Sequence, residues 1–137
     1  MKNGVIVKKL AEMEDTLRRL RDYVPTSYEQ LVADWGRQKI LERALQILIE
    51  GMVDIGERLV ALSGAVPCDT AAAVMTKLKQ LGVVRDDASY VNMVRFRNIL
   101  LHQYEQLDQA IVYGIVTKRL GDFEAFISEL RTYAETH

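Results

Sequence analysis

The sequence predicts an all-α protein, an up-and-down bundle of four to five helices, and three observations carry that expectation. Apolar residues recur at spacings of three and four along most of the chain, the period of a helix with one buried face. Alternation of the strand type is confined to runs as short as Gly82-Val83-Val84. Prolines number only 2, Pro25 and Pro67, and both fall between helical stretches.

The first helix is expected over about Val5 to Tyr23, with Val7, Leu10, Met13, Leu17 and Leu20 on its inner face. Pro25 ends it, and Thr26-Ser27 followed by Glu29 and Gln30 offers an N-cap for a short helical turn over Tyr28 to Ala33. The longest helix is expected from Asp34 to Ser63. Leu41, Leu45, Leu48, Met52, Ile55, Leu59 and Leu62 alternate steps of four and three, which makes a packing seam. Ile40, Ala44, Ile47 and Gly51 form a second apolar strip beside it, and a helix with two strips packs on two sides, the second suggesting another subunit. Gly64 and Pro67 stop this helix. Asp69 or Thr70 caps a third long helix that closes at Leu81 before Gly82. A fourth runs from Ser89 to Leu107. A fifth, capped by Asp108, runs to Tyr133 with Ile111, Ile115, Leu120, Phe123, Ile127 and Leu130 inward.

With 137 residues, 49% of them apolar, the chain suits a single domain, residues 1–137, around one core. The net charge of −1 lacks the basic surplus of a dedicated duplex-binding protein, so any nucleic-acid contact must be local. Cys68 is the lone cysteine, which excludes an intrachain disulfide and suggests a cytoplasmic location. No stretch approaches the ~20 apolar residues of a membrane span, and Met1 to Lys8 lacks the apolar run of a signal peptide.

Chemistry concentrates on the fourth helix, in the run Arg97-Asn98-Ile99-Leu100-Leu101-His102-Gln103-Tyr104. Arg97 offers a planar fork of donors suited to phosphate. His102 titrates near neutral pH, Asn98 can touch His102 one turn away, and Tyr104 carries a modifiable hydroxyl. Arg97 and Tyr104 stand seven residues apart, nearly on one line of the helix. Arg97 and His102 stand five apart and diverge by about 140°, so a shared pocket needs local distortion or a second subunit. Met93, Phe96, Leu100 and Leu107 fall on the core-facing arc. A phosphate-binding cation with a base or acid suits metal-independent RNA cleavage, in which the ribose 2′-OH attacks the adjacent phosphate. An arginine and a histidine on a solvated helix face are the plainer alternative.

Glu50 and Asp54 lie one turn apart, but no second histidine or cysteine accompanies them, and no metal site is expected. Asp54 is expected to support the site by pairing with Arg97 or orienting His102. Trp35 and Tyr28 are expected to cover one end of the core, with base stacking the alternative, and Lys77, Lys79 and Arg85 to form a solvated basic face, with RNA contact the alternative.

The Arg-x4-His-x-Tyr pattern of Arg97, His102 and Tyr104 resembles that of the HEPN superfamily in its HepT-type form. The resemblance extends from Ile6 to Leu130. Leu41 to Glu50 with Asp54 is similar to the family's long second helix, and Val112-Tyr113-Gly114-Ile115 and Leu120-Gly121-Asp122-Phe123 to the stretches after its motif. Gln103 stands where a glycine is common. The resemblance implies a helical homodimer and the toxin of a toxin–antitoxin pair, acting as a metal-independent endoribonuclease on cellular RNA. It implies Arg97 and His102 as catalytic residues and no cofactor. It also implies a cognate nucleotidyltransferase antitoxin of the MNT type that transfers AMP from ATP onto Tyr104. Anionic phosphate and a bulky nucleotide would then stand where the RNA backbone must lie. The alternative is a non-catalytic nucleotide-binding module that serves the nucleotidyltransferase as acceptor and docking subunit.

Overall fold

The computed structural model describes residues 4–101 and 108–137, and these form seven α-helices with no strand among them. The helices are α1 (Gly4–Arg21), α2 (Tyr28–Val32), α3 (Trp35–Leu62), α4 (Ala71–Gln80), α5 (Ala88–Leu101), α6 (Gln109–Lys118) and α7 (Leu120–Thr136).

Helix α3 is the axis of the bundle and packs against α1, α4 and α5 along its length. The expected seam buries Leu41, Leu45, Leu48, Met52, Ile55 and Leu59, but Leu62 lies past the last covering helix and is 51% exposed. The second strip splits in two. Ile40 and Ile47 are exposed. Gly51 is pressed against Met13 of α1, whose Cγ and Sδ stand 2.9 Å from where a Cβ would be. On α1 the buried line is Ile6, Leu10, Met13, Leu17 and Leu20. Ile6 takes the place expected for Val7, which faces solvent. Ile6 and Val7, four and three residues before Leu10, lie on opposite sides of its direction on the wheel, and packing buries the Ile6 side.

Helix ends follow side-chain chemistry. Ser27 accepts from the Gln30 amide to start α2, and Thr70, not Asp69, accepts from the Ala73 amide to start α4. Gly82 adopts φ +77 after α4, and the amides of Gly82 and Val83 donate to the carbonyls of Lys79 and Leu78. That pair of bonds is a Schellman closure, and it needs the left-handed conformation that glycine adopts without cost.

The expected fifth helix is two helices. Arg119 leaves the helical region (φ −120, ψ 3), its amide donates to the Ile115 carbonyl, and α7 begins at Leu120. The break lets α6 lie on α2 and α3 while α7 turns onto α1 and α5. A straight helix could not bury Val112, Ile115 and Val116 against one pair and Phe123, Phe126 and Leu130 against the other. The fourth expected helix is described as far as Leu101; its last turn to Leu107 lies outside the described residues.

Candidate functional site

Helix α5 carries the first residues of the motif, Arg97 and Asn98, and its inner face sets the direction of the polar residues on it. Tyr90, Met93, Val94 and Leu100 are buried and Phe96 packs against the same core. That leaves Asn92, Arg95, Asn98 and Ile99 outward. Arg97 stands at the boundary, partly buried. Its Nε is shut off from solvent and has no hydrogen-bond partner, and the side chain forms no ion pair among the described residues. A buried guanidinium N–H without an acceptor costs about 1–3 kcal/mol. Asn98 is exposed beside it. His102 and Tyr104 lie outside the described residues.

Both flanks of the 102–107 segment are anchored. Upstream, Leu100 is buried in the core shared with α3. Downstream, Asp108 accepts from the Ala110 amide at 2.9 Å to cap α6. The Gln109 side-chain amide donates to Glu42 of α3 at 3.0 Å.

Of the two roles expected for Asp54, pairing with Arg97 is not formed, and orienting His102 lies outside the described residues. Asp54 is exposed on the side of α3 that faces α1, where its carboxylate lies 3.7 Å from Lys9 Nζ. Glu50 accepts from Gln46 within α3. Lys79 lies 3.9 Å from each of Asp86 and Asp87, the behaviour of a solvated face. Trp35 does not cover the core; it is 71% exposed. Tyr28 is also exposed and meets Tyr113 of α6 edge-on, with ring centroids 5.7 Å apart.

One residue that sequence reasoning missed holds α5 in place. Glu129 of α7 accepts from the Tyr90 hydroxyl at 2.5 Å through one oxygen and from the Arg85 amide at 2.7 Å through the other. Tyr90 also meets Phe126 edge-on at 5.3 Å. Burial, and then the Glu129 carboxylate, push the Tyr90 hydroxyl far above its ordinary pKa, so it stays a donor. Tyr90 precedes Arg97 by seven residues, so the two lie almost on one line of α5, ~10 Å apart. The clamp therefore sets the rotation of the helix that carries Arg97. Glu129 is separated from its partners by 39 and 44 residues, and no local pattern marks it.

A groove of about 830 Å³ runs between α1 and α7 and is lined by no motif residue. Arg21–Glu124 and Arg131–Glu14 ion pairs cross it, and it reads as a solvated helix contact whose exposed pairs contribute little. No helix among the described residues is long and apolar enough to cross a membrane. No group of three or more metal-ligating side chains occurs among them.

A helical bundle that presents Arg97 and Asn98 ahead of a histidine and a tyrosine defines a class. The chain belongs to the Ribonuclease HepT-like family, whose profile matches residues 13–130. Its relatives include the mRNA nuclease HepT of Shewanella oneidensis, 27% identical over 131 residues that span 94% of this chain and 98% of that protein. Among solved structures, the tri-AMPylated Shewanella oneidensis HEPN toxin in complex with MNT antitoxin superimposes with a TM-score of 0.84 at 26% identity, covering 95% of this chain and 98% of that one. The Bacillus subtilis cytosolic protein YutE, of unknown function, matches with a TM-score of 0.82 at 21% identity over 97% of this chain and 90% of its own. That last likeness is one of fold alone.

Proposed function

We propose that this chain is the toxin of a toxin–antitoxin pair, a metal-independent endoribonuclease that acts on cellular RNA in the cytoplasm. The observation that carries this reading is the Arg97, His102 and Tyr104 pattern inside a chain that matches the mRNA nuclease HepT from end to end. In the reaction, the ribose 2′-oxygen forms a bond to the neighbouring phosphorus, and the bond to the 5′-oxygen breaks. His102 takes the proton from the 2′-OH or supplies one to the departing 5′-oxygen. Because the Arg97 Nε is turned into protein, its terminal nitrogens are the ones left to meet phosphate, end-on. Asn98, exposed four residues before His102, orients the imidazole or binds a phosphate oxygen. Asp54, whose carboxylate lies 3.7 Å from Lys9 Nζ, supports the site through His102 and not through Arg97. Because Arg97 and His102 diverge around an ideal helix, two copies of α5 complete the site in a homodimer.

Control of the activity falls to a cognate MNT-type nucleotidyltransferase that adds AMP from ATP to Tyr104. The chain itself needs no cofactor. Incubation of the purified protein with cellular RNA and a chelator tests the nuclease. The His102→Ala and Arg97→Ala variants are expected to cleave at least ~100-fold more slowly, the usual range for a lost acid–base group or charge stabiliser. Cleavage by wild type no faster than by His102→Ala would refute it. Mass spectrometry after incubation with the nucleotidyltransferase and ATP tests the control: AMP additions are expected on wild type and none on Tyr104→Phe.

A further inference from the structure

Trp35 is the first residue of α3 and the single tryptophan of the chain. An indole exposed at 71% is unusual on a soluble surface, and cations stand in register with it. Lys39 Nζ lies 5.7 Å from the ring centroid, and Arg43 follows one turn later. Residues four apart rise ~6 Å and turn only ~40°, so Trp35, Lys39 and Arg43 form a ladder along one edge of α3. Beside them the exposed Ile40 and Ile47 border an apolar groove of about 450 Å³ whose rim holds Arg19, Lys39 and Arg43.

The carboxylates nearby are engaged, two of them with cations of this rim in exposed pairs that a phosphate can displace. Asp34 caps α3, and the bond from the Arg37 amide holds its carboxyl below the ordinary range. Asp15 pairs with Arg18 and Arg19. Glu42 pairs with Lys39 at 3.3 Å through one oxygen and accepts from Gln109 at 3.0 Å through the other. Arg43 forms no ion pair among the described residues. The Glu42 bridge has a second consequence. It ties the ladder to the first turn of α6, which directly follows the segment that carries His102 and Tyr104.

We propose that the Trp35–Lys39–Arg43 face of α3 is a subsite for single-stranded RNA, with a base stacked on the open face of Trp35 and flanking phosphates held by Lys39 and Arg43. The proposal rests on the ribonuclease reading and extends its substrate beyond the scissile bond. Aromatic stacking and backbone cations are the two devices by which proteins hold single strands without reading sequence. A chain of net charge −1 must gather them locally. Arg43, without an ion pair among the described residues, and Lys39, which a phosphate can draw from its exposed pair with Glu42, complement the anionic backbone.

Because Trp35 is the only tryptophan, intrinsic emission reports on this face directly. The probe is an end-labelled RNA of about 15 nucleotides, near the upper site size of a single-strand binding fold, with 2′-O-methyl riboses that block cleavage. Expected are quenching of Trp35 emission that saturates together with the anisotropy of the labelled RNA, and a Trp35→Ala affinity about 5- to 150-fold weaker, the range for one lost aromatic–base stack. Trp35→Phe is expected to retain most of the affinity. Lys39→Gln with Arg43→Gln is expected to flatten the slope of log K against log salt by about 0.7 per cation. Binding by anisotropy with unchanged emission, and with Trp35→Ala equal to wild type, overturns the subsite while the ribonuclease reading stands. Absence of any RNA binding overturns both. Trp35 emission that shifts with protein concentration alone, with sedimentation showing that Trp35→Ala changes the oligomeric state, overturns the subsite in favour of a protein contact.

Discussion

Replacing Glu129 by alanine is expected to loosen the clamp that orients α5, and the structure allows the cost to be worked out. Glu129 accepts two hydrogen bonds, from the Tyr90 hydroxyl at 2.5 Å and from the Arg85 amide at 2.7 Å. Tyr90 is 2% exposed, and a donor left unsatisfied at that depth costs about 1–3 kcal/mol. Arg85 is exposed and its amide can turn to water, which adds about 0.5–1 kcal/mol, the net worth of an ordinary hydrogen bond. The sum for Glu129→Ala is about 1.5–4 kcal/mol. Tyr90→Phe removes the donor itself and leaves the partly buried Glu129 bonded to Arg85, so its expected cost is only about 1 kcal/mol. In the double variant no hydroxyl remains to be stranded. Its loss should fall short of the sum of the single losses by about 1–2 kcal/mol. Urea unfolding of the four proteins, followed by circular dichroism with a common m-value, measures the cycle. Additivity within about 0.5 kcal/mol would refute the clamp. Under folding conditions Glu129→Ala is also expected to lower RNA cleavage, because Arg97 lies on the same line of α5.

Two further predictions concern packing and pH. At Gly56 a Cβ would stand 2.5 Å from Val74 Cγ1, a buried β-branched side chain with little rotameric freedom. Gly56→Ala is therefore expected to lose about 1–2 kcal/mol net, overpacking outweighing the gain in helix propensity. Gly51→Ala meets only the flexible Met13 and is expected to cost less; calorimetric Tm values of the two variants give the comparison. Tyr90 is held protonated in the folded chain by burial and then by Glu129, whereas in the unfolded chain it ionises near the usual value of about 10. With the folded pKa raised, its contribution to stability is complete below pH ~10 and is lost as the pH rises further. Stability measured from about pH 9 to 11 should fall less steeply in Tyr90→Phe than in wild type.

Much of the fold was legible because its signals are local. The α3 seam, the Thr70 cap and the Gly82 closure each depend on residues within two turns of one another. The break at Arg119 was not legible. Val116, Leu120, Phe123, Ile127 and Leu130 keep helical spacing straight across it, and periodicity is blind to a change of axis that preserves phase. Leu62 and Val7 satisfied the same periodicity yet reach solvent, because a wheel shows which face points inward and not where the covering helix ends.

The motif is legible as residue types in order, and order by itself sets an arginine, an imidazole and a tyrosine within eight residues. That much, together with an all-α bundle, follows from the sequence alone, since composition and period need no partner. Only the tertiary structure turned Asp54 toward Lys9, sealed the Arg97 Nε, exposed Trp35 and brought Glu129 to Tyr90. These are contacts and exposures set by how helices distant in sequence pack. Whether a side chain is paired, buried or free depends on what the rest of the chain places opposite it, and no local pattern encodes that.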